Sequence, residues 1–212
     1  GLQFDTTISV NTLYSYIDKG IFLRLTNKNL PVKAARKRGY RKVKEAARPP
    51  KGDSIEKRPE EIDKRETFGH WEMDTVVSAR PSKKVLLVLS ERLTRNEIVR
   101  KLPDKTAASV VKALDELEQE YGGLFSRIFQ TITCDNGTEF SDFEGIERSS
   151  SSEDKRTKLY YCHPYSSWER GSNENLNRMI RRKFPKGTSF ADVTRKQVQN
   201  VEDWMNNYPR KV

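Results

Sequence analysis

The sequence predicts an α/β fold in which a mixed five-stranded sheet carries helices on both faces. Two observations predict this class. Short apolar runs rich in valine, isoleucine and leucine alternate with longer segments whose apolar residues recur at helical spacing. Their order is three strands, one helix, two strands and two helices, which favours a mixed sheet. We place this domain at residues 67–212, after a helical segment over residues 1–23 and a basic linker over residues 24–66.

The N-terminal segment has the pattern of one short amphipathic helix. Apolar residues recur at helical spacing over residues 5–20, and Gly20 predicts the end of the helix. The polar positions, including Asn11 and Ser15, could face a DNA groove as in a recognition helix, although a plain packing helix has the same pattern. One helix is less than a helix-turn-helix, so we expect a partial DNA-binding segment.

The linker is strongly basic. Residues 24–51 contain eleven lysines and arginines against one acidic residue, Glu45, and their prolines and glycine oppose a packed core. The whole chain has a net charge of +10, which favours a polyanionic partner such as DNA or RNA. We expect the linker to follow a phosphate backbone, with a solvated tether as the alternative. The residues expected to contact DNA are Arg36, Lys37, Arg38, Arg41 and Lys42.

The elements of the sheet domain follow one another closely. Thr106 is expected to cap a helix that runs through Tyr121 and ends at Gly122. A serine-rich stretch over residues 149–155 is expected to be a mobile surface loop. The strands are expected at residues 71–77, 85–90, 96–102, 128–134 and 159–162, and two further helices at residues 170–183 and 194–207.

Several classes of protein are excluded or disfavoured. No apolar run approaches the length of about 18 residues that a membrane-spanning helix needs, and no signal peptide is visible. Cys134 and Cys162 lie in apolar, strand-like runs, which predicts buried thiols in a reducing compartment. Neither the cysteines nor His70 and His163 have the paired spacing of a zinc site. His163 is expected to pack or to touch DNA.

Three acidic residues stand in contexts suited to metal chemistry. Asp74 lies in the first strand of the sheet, Asp135 directly follows the fourth, and Glu174 lies near the start of a helix. Carboxylates on rigid elements suit Mg²⁺, and two such ions can activate a nucleophile and neutralise a leaving oxygen at a phosphodiester. In a basic chain, this pattern predicts the cutting or joining of nucleic acid.

Longer strings around these residues resemble a known family. FGHWEMDTV surrounds Asp74, DNGTEF begins at Asp135, and HPYSSWERGSNEN runs through Glu174 and is followed by FPKGT. Together they resemble bacterial insertion-sequence transposases of the IS thirty family over about residues 55–210.

The resemblance implies an RNase H-like fold in which Asp74, Asp135 and Glu174 form an Asp-Asp-Glu catalytic triad that binds Mg²⁺, or Mn²⁺ in its place. It implies cleavage at transposon ends and strand transfer into target DNA. The expected partners are double-stranded DNA and at least one further copy of the chain, in the bacterial cytoplasm at the nucleoid. The alternatives are a nuclease of the same fold that cuts RNA in hybrids, and a non-catalytic DNA-binding regulator or domesticated remnant of a transposase.

The third carboxylate has a competitor. Thirty-eight residues separate Asp135 from Glu174, against about 33 in the family pattern, and the serine-rich stretch can account for the excess because surface loops lengthen at small entropic cost. Glu169 would give the shorter spacing, but the Gly-x-x-Glu-x-x-Asn frame of the family falls on Glu174. Glu72 and Glu139, close in sequence to the two aspartates, are expected to have structural roles.

The helix that begins near Glu174 is basic along its length. Its cations could hold DNA phosphates beside the metals or form an ordinary solvated face. The residues expected at phosphates are Arg178, Arg181, Arg182, Lys183 and Lys186.

Overall fold

The computed structural model describes residues 8–30, 52–163, 166, 169 and 171–209, without the side chains of Lys28 and of residues 171–174. The chain divides into two compact units, Gly1–Glu45 and Ala46–Val212. No helix within the described ranges is long and apolar enough to cross a membrane. The linker positions expected to contact DNA lie outside the described residues: Arg36, Lys37, Arg38, Arg41 and Lys42.

The first unit contains helix α1, Val10–Asp18. The helix begins later than predicted because Ser9 acts as its N-cap: the Ser9 hydroxyl accepts a hydrogen bond from the Thr12 amide at 3.1 Å. Gly20 follows the helix with a φ of 69°, a left-handed conformation that glycine adopts without strain.

The second unit is organised by a six-stranded sheet. Its strands are β1 (Asp53–Ser54), β2 (His70–Val77), β3 (Val85–Glu91), β4 (Glu97–Leu102), β5 (Thr131–Cys134) and β6 (Lys158–Tyr161). The spatial order is β1-β6-β5-β2-β3-β4. β2, β3 and β4 form an antiparallel meander, whereas β5, β6 and β1 add in parallel on the other side of β2.

The predicted mixed sheet is confirmed, with one strand more than expected. β1 is only two residues long and pairs with β6, with Asp53 opposite Tyr160. The sheet therefore begins before the domain boundary that the sequence suggested at residue 67. β5 starts at Thr131 rather than at residue 128, because the preceding residues form a helical turn that buries Phe125.

Helices cover both faces of the sheet. They are α2 (Glu61–Lys64), α3 (Ala107–Tyr121), α4 (Phe125–Ile128), α5 (Phe143–Glu147), α6 (Gly171–Lys183) and α7 (Arg195–Asn206). α3 begins where the sequence predicted, since the Thr106 hydroxyl accepts a hydrogen bond from the Ser109 amide at 3.3 Å. α7 begins with a reciprocal capping box between Thr194 and Gln197.

Two apolar cores lie on opposite faces, and alternation along β2 assigns its side chains between them. Trp71 and Met73 pack in the core that contains α3, whereas Val76 packs in the core that contains α6 and α7. Because successive strand residues point to opposite faces, Glu72 and Asp74 share the face of Val76. Asp74 therefore lies on the side of the sheet that α6 covers.

The serine-rich stretch lies at the surface, as expected, and its first residues are hydrogen-bonded to α3. Glu118 of α3 is buried and accepts hydrogen bonds from the Ser149 hydroxyl and from the Ser150 amide, the latter at 2.7 Å. The buried Arg156 pairs with Glu118 at 3.2 Å and with Asp115 at 2.6 Å. These contacts join segments more than 30 residues apart, which local sequence patterns do not reveal.

We predict that Glu118→Gln destabilises the fold by about 2–3 kcal/mol at pH 7, because it removes the charged acceptor of a buried cluster. Burial raises the pKa of Glu118, but hydrogen bonds from Ser149 and Ser150 and the charge of Arg156 outweigh it and lower the pKa to about 2. The stabilisation is present above the unfolded-state pKa of about 4.5 and is lost as pH falls through the folded-state value.

Urea unfolding of wild type and variant between pH 7 and pH 2 measures this difference, which should shrink below about pH 4.5. Glu116→Gln, an exposed position on the same helix, is the control and should have little effect. A difference that stays constant over this pH range would contradict the assignment.

Candidate active site

The parallel pairing of β2 with β5 brings Asp74 and Asp135 together. The paired residues include Trp71 with Ile132 and Glu72 with Thr133. Each aspartate follows a residue of the second of these pairs by two positions: Asp74 follows Glu72 within β2, and Asp135 follows Thr133 just past the end of β5. Neighbouring strands lie about 4.8 Å apart, so the two aspartates are adjacent on the face that α6 covers.

A tight turn holds Asp135. Its Oδ1 accepts a hydrogen bond from the Gly137 amide at 2.9 Å, and the Asn136 side chain donates to the Cys162 carbonyl at 2.9 Å. A Cβ at Gly137 would stand 2.9 Å from Asp135 Oδ1 and 2.5 Å from Glu139 Oε2, so the turn has no room for a side chain there. The turn therefore fixes where the Asp135 carboxylate points.

Asp74 is held by its own strand and by α6. Its Oδ1 accepts a hydrogen bond from the Thr75 amide at 2.8 Å, and its Oδ2 accepts one from Asn177 Nδ2 at 2.7 Å. One turn later on α6, Arg181 donates to the Val77 carbonyl at 2.8 Å. This face of α6 thus follows β2 from Asp74 towards the end of the strand.

Position 174 lies on the same face of α6. It precedes Asn177 by three residues, and residues three apart are neighbours on one helix face, about 4.5 Å apart along the axis. The Glu174 side chain lies outside the described residues, as do the side chains of the three residues before it. The backbone therefore places residue 174 about one turn before Asn177, the residue that contacts Asp74.

Glu169 has a different environment. Both of its carboxylate oxygens contact His163: Oε2 accepts from the His163 amide at 2.9 Å, and Oε1 lies 2.7 Å from His163 Nδ1. Glu169 precedes α6 by two residues and takes no part in the contact between that helix and Asp74.

Glu139 is buried beside the turn that holds Asp135 and contacts Thr75 and a lysine. One of its oxygens, Oε1, accepts a hydrogen bond from the Thr75 hydroxyl at 2.7 Å and lies 3.0 Å from Lys105 Nζ. Lys105, whose side chain is 44% exposed, brings a cation to Glu139. No sequence pattern pointed to Lys105, which directly precedes the N-cap of α3.

Glu72 belongs to a buried ionic network on the same sheet face. It pairs with Arg92 at 2.7 Å, and Arg92 also reaches Asp63 at 3.3 Å. Arg58 pairs with Asp63 and donates to the Thr133 hydroxyl at 2.9 Å. Burial lowers the pKa of Arg92, and the charge of Glu72 opposes that shift. The network lies on the sheet next to the aspartates, because Glu72 precedes Asp74 by two residues and Thr133 precedes Asp135 by two residues.

The five basic residues on and just after α6 differ in their contacts. Arg178 and Lys186 are exposed, as are Arg182 and Lys183. Three of the five contact neighbouring groups: Arg181 is half-buried with its guanidinium 5.9 Å from the Phe190 ring, Arg182 lies beside Tyr208, and Lys183 Nζ lies 4.4 Å from the Trp204 ring centroid. Cys134 and Cys162 are both buried, as the sequence indicated, and both are free thiols.

Comparison with known proteins gives consistent relatives, although no protein-family model matches the chain. The transposase of insertion sequence element IS4351 from Bacteroides fragilis is 40% identical over 158 residues, 74% of this chain and 45% of that protein. The probable transposase of element IS1161 from Streptococcus salivarius is 35% identical over 205 residues, 96% of this chain and 55% of that protein. Transposase InsI of element IS30C from Escherichia coli (strain K12) is 36% identical over 160 residues, 76% of this chain and 39% of that protein.

A solved structure shares the fold. A chain of the simian T-cell lymphotropic virus intasome, solved in complex with PP2A regulatory subunit B56 gamma, matches with a TM-score of 0.52 at 15% identity, covering 68% of this chain and 50% of that chain. This likeness concerns the fold alone, which is RNase H-like as predicted. The chain spans about half the length of the curated relatives it matches. Over the residues that align, the chain belongs to the IS thirty (IS30) family of insertion-sequence transposases, as its motifs indicated.

Proposed function

We propose that this chain carries the catalytic centre of a DNA transposase, which cuts phosphodiester bonds at transposon ends and transfers the freed strands into target DNA. The observation that carries this proposal is the 2.7 Å hydrogen bond from Asn177 to Asp74, because it sets α6 on the pair of strands that joins the two aspartates. The names of the relatives support the class of reaction.

The proposed metal ligands are Asp74, Asp135 and Glu174. Glu174 is preferred to Glu169 because it lies on the face of α6 that contacts Asp74, whereas both oxygens of Glu169 contact His163. The extra residues between Asp135 and Glu174 belong to the serine-rich stretch docked on α3, so they lengthen the chain without moving α6.

The residues around the aspartates fit a divalent cation. The donors are carboxylate oxygens, which Mg²⁺ and Mn²⁺ prefer. Three further buried oxygens have no hydrogen-bond donor within the described part of the chain: Asn136 Oδ1, Glu139 Oε2 and Asn177 Oδ1. A buried site with more acceptors than donors is costly unless a cation satisfies it. Bound there, divalent ions would supply Lewis acidity for the attacking oxygen and neutralise charge on the leaving oxygen.

The protein's own part in the reaction is to hold these ligands still. The amides of Thr75 and Gly137 and the side chain of Asn177 orient the aspartates before substrate arrives, so little reorganisation is needed during the reaction. Glu139 links the Thr75 hydroxyl to Lys105 and stiffens the same corner.

DNA is the proposed substrate. The exposed cations Arg178 and Lys186 on and after α6, together with Lys105, stand ready to hold phosphates near the aspartates. We also propose that residues 1–23 are part of a recognition segment, that the basic linker follows the DNA backbone, and that two or more copies act on paired ends. A net charge of +10 favours all of these contacts.

We predict that Asp74→Asn, Asp135→Asn and Glu174→Gln each lower Mn²⁺-dependent nicking of supercoiled plasmid DNA by at least about 10³-fold, because each removes a charged metal ligand. Duplex binding, measured by fluorescence anisotropy at fixed salt, should remain within about threefold of wild type. Glu169→Gln should keep measurable cleavage at saturating Mn²⁺.

Glu153→Gln, an exposed carboxylate in the serine-rich stretch, is the matched control and should cleave as wild type does. Cleavage retained by a purified triad variant would remove that residue from the site. A wild-type chain that binds duplex DNA tightly but never cuts it would favour the non-catalytic binding protein.

We predict that Asn177→Ala raises the Mn²⁺ concentration needed for half-maximal nicking by about 10–100-fold, the usual cost of losing a group that orients a metal ligand. At saturating Mn²⁺, the nicking rate of the Asn177→Ala variant should return most of the way to that of wild type. Asn175→Ala changes an exposed residue two positions away on the same helix and is the control. An unchanged Mn²⁺ requirement in the Asn177 variant would show that the contact with Asp74 does not organise the site.

A further inference from the structure

His163 bridges two carboxylates from separate parts of the chain. Its Nδ1 lies 2.7 Å from Glu169 Oε1, and its Nε2 lies 3.0 Å from Glu56 Oε1. Its backbone amide also donates to Glu169 Oε2 at 2.9 Å. His163 follows β6 by two residues, Glu56 lies in the turn after β1, and Glu169 stands two residues before α6.

Backbone hydrogen bonds link three described residues of this segment. The Ser166 amide donates to the His163 carbonyl at 3.2 Å, and the Glu169 amide donates to the Ser166 carbonyl at 3.1 Å. The side chain of Glu169 also returns to His163. Glu169, two residues before the start of α6, is therefore held at the end of β6.

The end of β6 also holds the turn of Asp135. The carbonyl of Cys162, the residue before His163, accepts the hydrogen bond from Asn136, which is the residue after Asp135. Two consecutive residues thus anchor two elements: Cys162 anchors the second aspartate, and His163 anchors the helix of the third carboxylate.

We propose that His163 is a positioning residue that sets the separation between Asp135 and Glu174, by tying Glu169, ahead of α6, to the end of β6. This inference rests on the proposed function, in which Glu174 is the third metal ligand. The sequence suggested that His163 packs or touches DNA. Instead, both ring nitrogens of His163 are hydrogen-bonded to carboxylates.

The charge of His163 follows from the same contacts. The hydrogen bond with Glu169, and then the one with Glu56, raise the pKa of His163 above 6.5. As an imidazolium it donates from both ring nitrogens, whereas the neutral ring donates from one and turns a lone pair towards the other carboxylate. The tie is therefore complete below about pH 6.5 and weakens as pH rises through the folded-state pKa. His163, Glu56 and Glu169 line a cavity of about 340 Å³. The other charged groups that line it are Arg58, Asp63, Arg65 and Arg92.

Two substitutions separate the two ends of the bridge. The amide of His163→Asn reaches roughly the position of Nδ1 and can keep the side-chain bond to Glu169, whereas the longer amide of His163→Gln reaches the position of Nε2 and keeps the side-chain bond to Glu56 only. The bond from the backbone amide of residue 163 to Glu169 is common to both variants. If the tie to Glu169 positions α6, the Gln variant should need about 10–100-fold more Mn²⁺ for half-maximal plasmid nicking, and the Asn variant less than about threefold more. Equal Mn²⁺ requirements in wild type and the Gln variant would overturn the positioning role.

A second measurement does not depend on cleavage. The chain has two histidines, so NMR titration of the full chain follows His163 directly, with His70, whose pKa is lowered by burial, as an internal reference. The pKa of His163 should fall in Glu169→Gln and stay unchanged in Glu66→Gln, which alters an exposed carboxylate. A His163 pKa that does not respond to Glu169→Gln would overturn the tie itself. A normal titration in a wild-type chain that never nicks DNA would instead count against the proposed function and, with it, the positioning role.

Discussion

The parallel pairing of β2 with β5 is the constraint on which the site depends, because it sets two carboxylates side by side. Neighbouring carboxylate charges repel each other, and they do so more strongly inside a protein than in water. The surrounding structure offsets this with donors: the amides of Thr75 and Gly137 and the side chain of Asn177. Two carboxylates held close together lower the stability of the fold, but they suit the binding of a cation.

α6 completes the site because its two faces are held independently. Leu176, Met179 and Ile180 are buried in the core that contains α7, while Asn177 and Arg181 bond to β2 on the side of the aspartates. A helix fixed along both faces cannot rotate about its axis without losing one set of contacts. Two residues before its N-terminal end, Glu169 is hydrogen-bonded to His163. Residue 174 thus lies between two residues with described contacts, Glu169 and Asn177.

The sequence predicted most of the fold, since hydrophobic period and caps act locally: Thr106 caps α3 as expected, and β2 starts within one residue of its expected position. It missed what depends on distant partners. β1 is defined by its pairing with β6, and the serine-rich stretch is hydrogen-bonded to Glu118, 31 residues before Ser149. The pairing of the first and fourth predicted strands was predictable, and it is the observation that supports the proposal for the two aspartates. The choice between Glu169 and Glu174 rested on a family frame until the contact from Asn177 to Asp74 supplied a physical reason.

The basic residues of α6 show why charge alone does not identify a DNA contact. Arg181 bonds to the Val77 carbonyl, and burial lowers its pKa, so its guanidinium supports the junction of α6 with β2 and is poorly placed to meet phosphate. Lys183 stacks on Trp204 yet stays exposed, and a cation over a ring keeps its charge. The Lys183 ammonium therefore contacts the Trp204 ring and is open to solvent at the same time. The net charge of +10 therefore overstates the number of basic side chains that a polyanion can reach, because some of them, such as Arg181, make contacts within the fold.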